Sequence, residues 1–244
     1  MPTRITRSSN ARKLWGNLMS SLQPVWDFWV RFGHWLIALG VIFQQISGNQ
    51  LELIDAHATV GILLSGWVIF RLVWGFIGPK YARFSSFPLT SPKQVMHSLQ
   101  RVITKQTEQT PGHTTVGGLA VYLMLILIGL TALSGMASSD DILFTGPLEP
   151  FLSSALVDLA SQAHPILSKL VLIIVIAHVS AVFWHQCVMK EPLIQGMFHG
   201  LKPGFGQSIG QPNPFSKLLL LRGFILFSLC IGGAYGILGI YLGW

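Results

Sequence analysis

Residues 161–185 read SQAHPILSKLVLIIVIAHVSAVFWH, an apolar stretch long enough to cross a bilayer that nevertheless carries His164 and His178. At about 100° per residue, the fourteen steps between them return to within roughly 40° of the same helix face, and a 1.5 Å rise sets the rings about 21 Å apart. An ionisable ring in hydrocarbon is costly and marks function by default. Two on one face, near opposite leaflets, point to two separate ligands stacked across a membrane.

The rest of the chain supports that setting. Of 244 residues, 51% are hydrophobic and 10% charged, against about 25% charged in soluble proteins. Long apolar runs recur, which excludes a core with a polar shell and indicates a polytopic, all-α membrane protein. The first run starts near Pro24, too late and too long for a cleaved signal peptide, and reads as a retained span. Cys187 and Cys230 form no C-x-x-C-H pattern for covalent haem attachment and no disulfide framework.

Five spans are expected, at roughly 24–47, 56–78, 114–137, 162–187 and 217–241. Arg4, Arg7, Arg12 and Lys13 precede the first, and the 79–113 loop holds Lys80, Arg83, Lys93, Arg101 and Lys105. Lys190, Lys202 and Lys217 follow the fourth span. The 48–55 and 138–161 links have no Lys or Arg but carry Glu52, Asp55, Asp140, Asp141, Glu149 and Asp158. Basic and acidic links alternate, placing the amino terminus in the cytoplasm and the carboxyl terminus outside. The net charge of +7 is thus topology rather than a nucleic-acid footprint. The acidic links are the mirror image of that rule, or a docking face for a cationic partner.

The organisation expected is a basic arm (1–23), a four-span unit (24–200), a Gly/Pro linker (201–216) and a fifth span (217–244). Gly232 and Gly236 in that last span have the G-x-x-x-G spacing of helix packing, a weak signal where glycine is common.

Topology gives each histidine a depth. His34 lies in the inner half of the first span and His57 opens the second from outside, while the fourth span has His164 outside and His178 inside. The rings fall into two couples, His34 with His178 and His57 with His164. A lone intramembrane histidine often only bonds to a neighbouring helix. Two couples without Cys or carboxylate helpers suit the axial positions of haem better than zinc, which wants four ligands. Arg31, one turn before His34, and Arg71, fourteen residues after His57, reach the inner level. They are candidate partners for haem propionates, or ordinary boundary arginines; Asp27 could hold Arg31 by i,i+4 pairing. Gly61 and Gly48 leave room for a flat ligand, with a helix C-cap the favoured role for Gly48. His97, His113 and His199 read as solvated, and His185 as lining the inner boundary or accepting a quinol proton.

The segments WDFWVRFGHW (26–35), HATVG (57–61), RLVWGFIGPKYARF (71–84), PGH (111–113) and DDILFTGPL (140–148), with the two histidines of the fourth span, carry a family resemblance. Over about residues 24–200 the chain resembles the bacterial cytochrome b561 family, which includes the b-type cytochrome subunit of nickel–iron hydrogenases. The resemblance implies a four-helix transmembrane bundle with two non-covalent b haems, ligated by His34, His57, His164 and His178, and here followed by one extra C-terminal span. It implies electron transfer between membrane quinone and a redox protein outside, either a cytochrome c or a dehydrogenase such as hydrogenase. His185 and Gln186 mark a guess at the quinone. Two other readings compete: divalent-metal transport along the histidines, and a membrane anchor for a redox complex.

Overall fold

Apolar runs of about 20 residues satisfy their own backbone in lipid only as helices, and the long runs of this chain fold that way. The structure, a computed structural model, describes residues 22–88, 91–106, 110, 112–140, 142–203 and 216–242. The basic arm before Leu22, Asp141 and most of the Gly/Pro linker lie outside the described residues. The described helices are α1 (Phe28–Ser47), α2 (Ile54–Ile77), α3 (Pro92–Ile103), α4 (Thr115–Met136), α5 (Ser154–Cys187), α6 (Leu193–His199) and α7 (Lys217–Leu242).

Local chemistry sets the ends. The Asp27 carboxylate caps α1, accepting from the Trp29 and Val30 amides at 2.8 and 3.2 Å. Gly48 closes α1 by donating to the Gln44 carbonyl at 3.1 Å, so the cap reading for it holds, in right-handed geometry. Four helices, α2, α4, α5 and α7, are long and apolar enough to cross a membrane. The fifth long helix, α1, is diluted by Arg31, His34, Gln44 and Gln45.

Three local features differ from the expectation. The 79–113 stretch holds α3, started by a capping box in which the Ser91 amide donates to Gln94 Oε1 and the Gln94 amide to Ser91 Oγ, at 2.9 and 3.3 Å. α5 begins at Ser154, not near 162, and runs 34 residues through Pro165. At 1.5 Å per residue it is about 51 Å long, well beyond a hydrocarbon core of about 30 Å. Finally, β1 (Leu22–Pro24) pairs antiparallel with β2 (Leu201–Pro203), tying the entry of α1 to the chain after α6.

α2 is the central helix, packed by α1, α4 and α7, while α5 packs along α4. The largest buried cluster joins Trp29, Trp67, Phe70, Trp74 and Leu125, and a second joins Ile62, Met136, Ala234 and Leu238. No residue of α5 belongs to either. The close approach of α7 to α2 occurs at Gly66, where a Cβ would stand 2.9 Å from the Cys230 carbonyl oxygen. Gly232 and Gly236 meet nothing within 4 Å, so the G-x-x-x-G pair is not what seats α7 on α2.

Candidate functional site

α5 is held mainly through α4 and makes no extensive packing with α1 or α2. A seam therefore runs between α5 and the α1–α2 face. Two imidazole couples cross it. His34 of α1 stands 6.4 Å from His178 of α5, ring centre to ring centre, and His57 of α2 stands 6.2 Å from His164 of α5. Gln45 adds a third crossing, its Nε2 donating to the Ser168 carbonyl and lying 3.2 Å from Ser168 Oγ.

The spacing is informative. With metal–nitrogen bonds of about 2 Å and about 1.1 Å from ring nitrogen to ring centre, two imidazoles on opposite sides of one metal stand about 6 Å apart. Aromatic rings in direct contact also reach such distances, so the hydrogen bonds matter more.

At the His57–His164 couple they choose a tautomer. Ser47 Oγ donates to the Phe43 carbonyl at 2.8 Å, which leaves it an acceptor toward His57 Nδ1 at 3.0 Å. His164 Nδ1 lies 2.9 Å from the Thr131 carbonyl, which can only accept. Both rings thus carry their proton on Nδ1 and keep the Nε2 lone pair for a metal, the arrangement that ligating histidines show. At the other couple, His34 Nδ1 is buried without a partner.

Glycine shapes the same rings. A Cβ on Gly135 would come 2.8 Å from His164 Cε1, and one on Gly48 would come 3.3 Å from His57 Cε1. Gly61 faces the Gln44 amide rather than a ring. Among the described residues no group of three His, Cys, Asp or Glu side chains could hold a metal ion. A zinc-type site lacks its ligands, whereas a porphyrin supplies four nitrogens of its own and asks only for the two axial ones.

The two arginines part company. Arg71 is 5% exposed, with Nη1 lacking a hydrogen-bond partner and its guanidinium 5.0 Å from the centre of the Phe84 ring. Such a buried cation suits a carboxylate ligand. Arg31 instead reaches the Phe198 carbonyl at the end of α6, with Nε 3.4 Å from the Asp27 carbonyl. The Asp27 carboxylate serves the helix cap. His185 and Gln186 also turn to structure: His185 Nδ1 lies 2.9 Å from Glu191 Oε2, and Gln186 accepts from the Ile194 amide.

Sequence reasoning missed a cluster at the His34–His178 end. His113, expected in solvent, lies with its ring centre 4.7 Å from that of Trp26 and 4.2 Å from that of Phe87. Burial, with Arg71 and Lys202 adding positive charge, pushes its pKa down to about 3. Burial also lowers the pKa of Lys202, which donates to the Gly112 carbonyl at 3.0 Å. At the opposite end, Asp140 accepts from the amides of Ile142, Leu143 and Phe144, which lower its pKa.

No curated protein and no solved structure matches the chain. A family model described as prokaryotic cytochrome b561 matches residues 25–200, well over half of the 244 and every residue of both couples. The chain therefore belongs to the prokaryotic cytochrome b561 family, membrane b-type cytochromes that work in electron transfer.

Proposed function

We propose that the chain carries electrons across a bacterial inner membrane through two b-type haems, one on His34 and His178, the other on His57 and His164. The observation that carries this reading is the seam crossed by two matched imidazole couples, with Nε2 left bare at one of them. Bound haem iron supplies the one-electron chemistry. The protein's own residues hold it: four imidazoles as axial ligands, and Arg71, with Arg31 nearby, for propionate charge. Ser47 and the Thr131 carbonyl orient the rings, and the apolar helices keep water from the path.

The alternating basic and acidic links support a cytoplasmic amino terminus, with the His34–His178 couple near the inner leaflet and the other near the outer. Membrane quinone is then the diffusible partner, and a cytochrome c or a dehydrogenase the external one. For the external partner the acidic links offer a face complementary to a cationic surface.

The test counts and separates the haems. The purified chain should hold about two acid-extractable haems, and His178→Ala about one, with one of two redox steps retained. A haem-free protein produced with ample haem, or loss of both haems from a folded His178→Ala variant, would overturn the reading.

A further inference from the structure

α3 carries none of the four paired histidines, yet its position is constrained. It hangs between the end of α2 at Ile77 and the start of α4 at Thr115, two helices that can each cross a membrane, so it is kept at one membrane face. It packs against α4, and its Ser98 is 5% exposed. On a neighbouring strip Met96, Leu99 and Ile103, at i, i+3, i+7 spacing, are 59, 42 and 76% exposed. Lys93, His97 and Arg101 line an open cleft of about 510 Å³ with Gln94 and Thr115. From Gly78 to Gln106 the chain has Lys80, Arg83, Lys93, Arg101 and Lys105 and no Asp or Glu.

An exposed apolar strip bordered by cations is the pattern of a helix lying in a lipid interface, and cations at that level attract anionic headgroups. A protein partner would have to displace lipid to reach the strip. We propose that α3 lies along the bilayer surface, with Met96, Leu99 and Ile103 among acyl chains and the Lys93–Arg101 cleft closed on the phosphate of an anionic phospholipid. The site is a lipid site, independent of the haem-bearing seam.

The test uses the full-length protein in nanodiscs of phosphatidylcholine, with and without phosphatidylglycerol. Amide exchange over residues 91–105 slows when phosphatidylglycerol is present, and K93Q/R101Q abolishes that difference. Native mass spectrometry of the detergent-solubilised chain gives the affinity. The double variant binds phosphatidylglycerol about thirtyfold more weakly, from roughly fivefold for each cation at an anionic surface, and phosphatidylcholine is unaffected. Millimolar inorganic phosphate does not reproduce the protection. M96S/I103S, which keeps the cations, exchanges faster in both discs. Circular dichroism confirms that each variant is folded. Equal exchange in the two discs, equal phosphatidylglycerol binding by wild type and K93Q/R101Q, protection by free phosphate, protection only when a second protein is added, or unchanged exchange in M96S/I103S would each overturn the proposal.

Discussion

Ser47 gives its only proton to the Phe43 carbonyl and thereby obliges His57 to donate from Nδ1. Ser47→Ala removes the acceptor and leaves the ring free to turn. The expected result is about a tenfold loss of haem affinity at one site, as for other second partners of ligating histidines, with the other site unchanged. A haem-transfer assay to an acceptor protein, with redox titration of both steps, checks it; Ser47→Thr, which keeps the hydroxyl, should restore both. The four histidines were legible in the sequence because each ring stands out against an apolar background. Ser47, Thr131 and Ser134, the last with its Oγ 3.2 Å from His164 Nδ1, were not, because a hydroxyl in a lipid-spanning helix ordinarily bonds back to its own turn. All three do so here, to Phe43, Leu127 and Thr131. The Arg31 contact with the Phe198 carbonyl at the end of α6 was equally hidden, because a cation in a sequence announces an anion and not a backbone oxygen of a distant segment.

Among the elements, the segment leading into α4 carries the clearest pH dependence. His113 has its folded pKa pushed down to about 3, against about 6.5 unfolded. The unfolded chain therefore binds the extra proton between these values, and stability present above about pH 6.5 is lost as pH falls. Going from pH 7 to 5 should cost on the order of 2 kcal/mol through this group, read as a fall in thermal midpoint that His113→Phe largely removes. The sequence placed His113 in a cytoplasmic link and hence in water, since nothing local announces that Trp26 and Phe87 close over it. The β1–β2 pair was invisible for a similar reason. Three residues make no periodicity, and pairing between Leu22–Pro24 and Leu201–Pro203 is a tertiary event. α3 was there to be found: Ser91, Pro92 and Gln94 spell a helix start that the count of membrane spans overshadowed.

For the whole molecule, the long helices followed from hydropathy and the pairing of the four rings from the spacing along them, while the role of α7 did not. Its partner surface on α2 is made by one glycine and large apolar side chains, which look the same as lipid-facing ones in a sequence. Removing residues 217–244 should lower the thermal midpoint by several degrees and leave the haem count unchanged, because among the described residues no hydrogen bond or ring contact joins α7 to the four histidines; calorimetry and an absorbance spectrum decide it. The seam has the opposite dependence. The tryptophan-rich interior is complete without α5, of which only Val157 and Val171 are buried. A thiol at Val171 (V171C) should react with a membrane-permeant maleimide about tenfold faster in haem-free than in haem-loaded protein, as expected of a locally opening helix. The bundle is then a clasp rather than a sealed box. On the proposed reading, three of its walls are already joined through the tryptophans, and the fourth would close from the lipid side over whatever iron ring lay between them.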